Sequence, residues 1–304
     1  MRAIFPVFAL AASFALVGPS SAERLTDQPL VDAAWLQQNL NNDSLVVLDV
    51  RDAVEKVNPY EQGHIPGAIN APYGAAGWRT EVQGVPGQLP PLESNEALIG
   101  NLGIDSDDHV VIVPAGRDSS EFGGATRIYW TFKTLGHEAV SILDGGYRGW
   151  EQAKGEVSTD PVKPEPVKFS AKVSDKYLAT TADVEQALKS GVKLVDGRPA
   201  EQFQGKSKSP VVRAAGTIPG AVNIEHSKLY DAQNASFANR EKVEALVREA
   251  GFNLDDENIT FCNTGHWASL PWFALSEVLG NKNTRMYDGS MAEWAADPAR
   301  PIQQ

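Results

Sequence analysis

Cys262 is the sole cysteine of a 304-residue chain. A lone thiol cannot close an internal disulfide, so its surroundings decide its use. It follows the apolar run Ile259-Thr260-Phe261 and precedes Asn263-Thr264-Gly265-His266-Trp267, after which Ala268 to Leu279 reads as a helix. A strand-loop-helix turn of this kind aims several backbone N–H groups at one point, and the helix dipole adds positive potential there. Sulfur held in such a cup is pushed toward thiolate, because the charged form gains hydrogen bonds that the thiol lacks. The chemistry on offer is a sulfur nucleophile active near neutral pH. Against it stands a buried cysteine acting as a small hydrophobe. Pro271 falls early in the helix, where its missing N–H costs least. His266 lies inside the loop; it either adds charge that favours thiolate and anion or caps the turn.

The elements that position this loop occur twice. Val47-Leu48-Asp49-Val50-Arg51 matches Leu194-Val195-Asp196-Gly197-Arg198, and Gly63-His64-Ile65-Pro66-Gly67-Ala68-Ile69-Asn70 matches Gly216-Thr217-Ile218-Pro219-Gly220-Ala221-Val222-Asn223. The second copy carries extra residues between Lys206 and Arg213. Gly103 and Gly251 stand at equal distances before Pro114 and Cys262, so proline occupies the thiol's place in the first copy. Gly136 to Trp150, through Asp144-Gly145-Gly146, mirrors Gly280 to Trp294, through Asp288-Gly289. Each copy alternates β-branched runs (Leu45–Leu48, Val110–Val113, Val140–Leu143; Lys193–Val195, Ile259–Phe261, Arg285–Tyr287) with amphipathic stretches (Val31–Leu40, Ala125–Leu135; Thr181–Leu188, Arg240–Ala250). That alternation predicts an α/β fold of two domains, each a mostly parallel sheet with helices on both faces and functional loops at the carboxyl strand ends. The expected domains are 24–155 and 170–304, joined by a proline-containing linker over 156–169.

The ordered set of an Asp-x-Arg after a strand, Gly-His-Ile-Pro-Gly-Ala-x-Asn, a six-residue cysteine loop and Asp-Gly-Gly near a final Trp resembles the tandem-domain rhodanese family of sulfurtransferases, of thiosulfate or 3-mercaptopyruvate type. The resemblance covers the chain beyond its leader. It implies a catalytic second domain and a non-catalytic first, and transfer of sulfane sulfur from thiosulfate or a similar anionic donor, through a Cys262 persulfide, to cyanide or a thiol. No cofactor or metal is implied. The loop departs from both family types: Asn263, Thr264 and His266 stand where Arg and Lys, or Gly and Ser, are usual, and Gln202 replaces a family arginine. The donor-binding set expected here is therefore Asn263, Thr264, Gly265, His266 and Trp267, with Arg198 or the inserted Lys206, Lys208 and Arg213 supplying charge. Arg198 next to Asp196 also reads as a brace, since Asp49 and Arg51 repeat the pattern where there is no thiol.

Other functions fit less well. A Cys-x5-Arg phosphatase needs arginine where Ala268 stands, a thioredoxin-like enzyme needs a second cysteine, and a Cys–His hydrolase leaves His266 without an orienting acid. His64, His109, His137 and His226 form no zinc-ligand spacing. The alternative from another class is a persulfide carrier or redox-sensing module that does not turn over. With 42% hydrophobic and 22% charged residues the chain is ordinary globular protein, and 39 acidic against 27 basic residues disfavour nucleic acid. Residues 1–22 read as an export signal: Arg2, an apolar stretch from Ile4 to Val17, and Ser20 and Ala22 before a cleavage point. That stretch is too short to span a bilayer. The expected location is periplasmic or secreted, with no membrane partner.

Overall fold

The structure is a computed structural model and describes residues 24–304; the leader expected over 1–22 lies outside the described residues. Two five-stranded sheets, parallel throughout, carry the two halves. In the first, the spatial order is Leu30–Val31, Val140–Leu143, His109–Val113, Leu45–Asp49, Ile69–Asn70. In the second it is Leu178–Ala179, Thr284–Tyr287, Asn258–Phe261, Lys193–Asp196, Val222–Asn223, the same order on equivalent residues. The expected strands and the Arg240–Ala250 helix form where the pattern put them. The segment expected as a helix from Ala268 differs. It is α-helical only over Ser269–Phe273 and continues as a π-turn over Ala274–Val278.

Both faces of each sheet are covered, and side-chain alternation sorts them. Val47, Val111, Val113 and Leu143 face one cluster, while Leu48, Val110, Ile112 and Ile142 face another. In the second half, Leu194, Ile259 and Phe261 lie outward, and Val195, Cys262 and Met286 lie inward. The two inward faces merge. The Ser119–Thr134 helix, buried from Phe122 to Thr134, packs on Ser269–Phe273, so Phe122, Phe132, Leu270 and Phe273 form one core across the junction. This places the Cys262 loop at the domain boundary.

The halves also clasp each other reciprocally. After the first half's small hairpin (Thr80–Val82 with Val85–Gln88), Leu89 N–H donates to Asp288 Oδ2 at 2.7 Å. From the second half's hairpin (Tyr230–Asp231 with Ser236–Phe237), Phe237 N–H donates to Asp144 Oδ1 at 2.8 Å. Each hairpin thus anchors on the other half's Asp-Gly. The proline-containing segment runs along the first half, pinned by the His64–Ser158 bridge, by Val167 N–H to Gly100 O and by Lys172 N–H to Leu135 O. No helix among the described residues is long and apolar enough to cross a membrane.

Candidate active site

Cys262 sits one residue past the central strand Asn258–Phe261, 1% exposed. Its carbonyl accepts from Met291 N–H and the Asn263 carbonyl from Ala292 N–H, tying the loop to the last helix. Ser290 supports it from beneath: its Oγ accepts from Cys262 N–H and Gly265 N–H, both at 3.0 Å, and donates to Tyr287 O. Ser290 is fully buried at φ +51°, a left-handed conformation unusual for a side-chain-bearing residue. The amides of Asn263, Thr264, His266, Trp267 and Ala268 donate to no acceptor among the described residues. With only five α-helical residues behind them, these amides rather than a long helix dipole supply the loop's positive potential.

The first half shows what such a loop holds. Tyr147 N–H and Arg148 N–H donate to Pro114 O and Ala115 O, as Met291 and Ala292 do to Cys262 and Asn263, so the two loops start from the same anchor. There the nest is filled: Ala115, Gly116 and Arg117 N–H donate to the Glu121 carboxylate at 2.5, 3.0 and 3.4 Å. Burial raises the Glu121 pKa while these amides lower it. In the second loop no carboxylate accepts from the amides of Asn263, Thr264 or Gly265 among the described residues, and Ser269, which opens the helix, donates its hydroxyl to His266 O at 2.7 Å.

Around the thiol loop, the first half supplies residues that local spacing did not reveal. Arg79 Nη2 donates to Thr264 O at 2.5 Å and to Thr264 Oγ1 at 2.9 Å. Arg127, with no exposed surface, donates to Gly265 O at 3.1 Å and pairs with Asp288 at 2.5 Å. Gly265 adopts φ +73°, and a Cβ there would overlap both Arg127 Nη1 and Asp288 Oδ1. Tyr73 OH lies 2.9 Å from His266 Nδ1. Burial raises the Tyr73 pKa. The phenol is thus protonated and donates, leaving the His266 proton on Nε2, 3.5 Å from Ser120 Oγ. Burial, with Arg79 and Arg127 nearby, pulls the His266 pKa down to about 3. His266 is neutral at pH 7 and brings no charge to the loop. Trp267 donates Nε1 to Ser120 Oγ at 2.9 Å and stacks on His226, ring centroids 4.4 Å apart. A cleft of about 280 Å³, with Asp52, Tyr73, Arg117 and Ser120 in its walls, opens on His266.

The expected cations of the second half are elsewhere. Arg198 is a brace: fully buried, it grips Asp196 through Nε and Nη2 and donates to Gly216 O, as Arg51 does with Asp49 and Gly63 O. Lys206, Lys208 and Arg213 are exposed. Lys208 donates to Val212 O and Arg213 to Ala296 O, so the inserted segment satisfies itself and the chain end. From that neighbourhood Gln202 reaches the loop, accepting from Asn263 Nδ2 at 2.9 Å.

A family description, "Rhodanese-like domain", matches residues 32–153 and again 180–297. The chain belongs to the rhodanese family. Among its relatives, a Saccharopolyspora erythraea protein named "Putative thiosulfate sulfurtransferase" is 32% identical over 284 residues, covering 91% of this chain and 96% of the relative. One of the same name from Mycobacterium tuberculosis H37Rv is 31% identical over 281 residues, covering 90% and 97%. Among solved structures, the 3-mercaptopyruvate sulfotransferase SseA of Escherichia coli aligns with TM-score 0.74 and 26% identity, over 86% of this chain and 98% of that one. The anaerobic ergothioneine biosynthesis enzyme of Chlorobium limicola shares the fold, with TM-score 0.78 and 24% identity, over 91% of this chain and 70% of that one. This tandem rhodanese is an enzyme of the sulfurtransferase class.

Proposed function

We propose that this rhodanese takes sulfane sulfur from thiosulfate, or a donor of the same anionic kind, onto Cys262 and passes it to cyanide or a thiol. The observation that carries this reading is the contrast between the twin loops. One nest is closed by its own carboxylate; the other has five amides without protein acceptors beside the only thiol. In the first step the Cys262 thiolate attacks the outer sulfur of thiosulfate. The Sγ–S bond forms, the sulfur–sulfur bond of the donor breaks, and its electron pair leaves on sulfite. Charge is conserved, and no oxidant or proton donor is required. The acceptor then attacks the persulfide's outer sulfur and regenerates the thiolate. Amides fixed before the reaction hold the anionic persulfide without reorganisation. Export, read from residues 1–22, belongs to the same proposal.

The test is thiocyanate formation from thiosulfate and cyanide by the purified protein, with mass spectrometry of the Cys262 peptide after thiosulfate alone. The expected results are repeated turnover and a gain of one sulfur atom. Cys262→Ser abolishes both, and Pro114→Ala changes neither appreciably. Stoichiometric loading without turnover, or transfer by the serine variant, would overturn the proposal.

A further inference from the structure

Resting on that reading of Cys262, we infer that Arg79, from the first domain, is the cation that receives the oxyanion end of the sulfur donor and the sulfite that leaves.

An anionic donor arriving at an anionic sulfur gains from a formal positive charge, and the loop has amides but no cationic side chain. Asn263, Thr264 and Gly265 are uncharged, and His266 is neutral at pH 7. Arg198 is locked onto Asp196, and the inserted Lys208 and Arg213 are bonded to carbonyls elsewhere. Arg127 is present but already matched by Asp288.

Arg79 differs from each of these. It is half-buried between the domains, and no carboxylate pairs with it among the described residues. Taking a guanidinium partly out of water without a counter-charge is unfavourable. An anionic ligand repairs that deficit. Its position is also built: Nε donates to Gly87 O at 2.7 Å, and a Cβ at Gly87 would overlap the guanidinium, so the hairpin turn is shaped to let Arg79 lie across it. Nη2 rests on Thr264, two residues past the thiol, and the guanidinium lies over the Tyr73 ring, 5.9 Å from its centroid.

The bonds to Thr264 are to neutral oxygens. A hydrogen bond from guanidinium to an oxyanion is roughly twice as strong as a neutral one. Donor binding therefore exchanges the Thr264 contacts for charge-assisted ones, and the same group faces the sulfite as the sulfur–sulfur bond breaks. The first domain thus supplies the charge that position 202 and the loop lack.

The experiment measures steady-state kinetics for Arg79→Gln and Arg79→Lys, and calorimetric binding of sulfite to Cys262→Ser protein with and without Arg79→Gln. Loss of one charge-assisted bond predicts a rise of about tenfold or more in KM for thiosulfate, matched by a similar loss of sulfite affinity. Lysine restores part of both. Urea midpoints are recorded so that a misfolded variant is recognised, and Arg79→Lys serves if the glutamine variant does not fold. Unchanged KM and sulfite affinity, or a fall in kcat alone, would overturn Arg79 while leaving sulfur transfer standing. Conversely, a wild-type protein that takes no sulfur from thiosulfate, yet binds sulfite through Arg79, supports the anion site and removes the donor reading.

Discussion

Replacing Ser290 by alanine removes one oxygen atom and strands two buried amides. Cys262 N–H and Gly265 N–H both end on Ser290 Oγ at 3.0 Å, in a place where the residue itself has no exposed surface. An orphaned buried donor costs roughly 1–3 kcal/mol, so the pair costs about 2–6 kcal/mol. Alanine also keeps the strain of φ +51°, whereas glycine relieves it. Ser290→Gly therefore loses the same oxygen yet falls about 1 kcal/mol less. The expected order of stability is wild type, then glycine, then alanine, read from the urea unfolding transition at pH 7. Because the same two amides set the loop's shape, turnover of thiosulfate with cyanide falls at least tenfold in both variants. If part of the stability loss is expressed in the transition state, each ~1.4 kcal/mol contributes a further factor of ten. An alanine variant within about 0.5 kcal/mol of wild type, or a glycine variant less stable than alanine, would refute the argument that one hydroxyl holds the loop.

Two further outcomes follow from the same contacts. Gly265→Ala places a methyl group against the Arg127–Asp288 pair at φ +73°, so it separates the pair or rebuilds the loop. The expected loss is at least about 3 kcal/mol in the unfolding transition with near-complete loss of transfer, and a fully active variant would contradict the packing. For His266, the folded-state pKa near 3 lies below the ordinary value of 6.5, so the unfolded chain binds the extra proton between these limits. Stability is therefore full above pH 6.5 and is lost as pH falls toward 3, by roughly 3 kcal/mol at pH 4 from this group. Comparing wild type with His266→Gln from pH 7 to pH 4 should show a shallower decline in the variant. Parallel curves would remove the neutral buried histidine from the account.

Landmarks repeated in order made the duplicated sheet, the thiol's loop and the Arg240–Ala250 helix legible from sequence, because each depends on local period and turn chemistry. Arg79 and Arg127 were not legible. They meet the loop across 185 and 138 positions of chain, and nothing in their own neighbourhoods marks them. Lys206, Lys208 and Arg213 misled for the opposite reason: nearness along the chain to Arg198 does not bring a side chain to the thiol. His226, which forms no ligand spacing in the sequence, lies 3.0 Å from Ser119 Oγ through Nδ1, a contact made only when the halves close. Ser290 did leave a trace, since Asp144-Gly145-Gly146 becomes Asp288-Gly289-Ser290 in the second copy.

That last exchange belongs with the exchange of Pro114 for Cys262 and with the carboxylate that only the first loop holds, and together they set the two loops apart. Gly146 stands so close to Pro114 O that a Cβ would overlap it. At the same left-handed turn, Ser290 has room for a side chain and uses it to hold two loop amides. Glu121 inserts a carboxylate into its own loop, and no carboxylate accepts from the amides of Asn263, Thr264 or Gly265 among the described residues. Proline stands in the first loop where the second has the thiol of Cys262. A duplicated fold has in this way divided its labour: one copy keeps the loop as a closed structural turn and turns its arginines outward to the junction, and the other keeps the sulfur and the vacant amides. On this view, the charge that guides the donor and the atom that reacts with it come from different halves. Any motion that separates the halves would weaken donor binding before it altered the thiol.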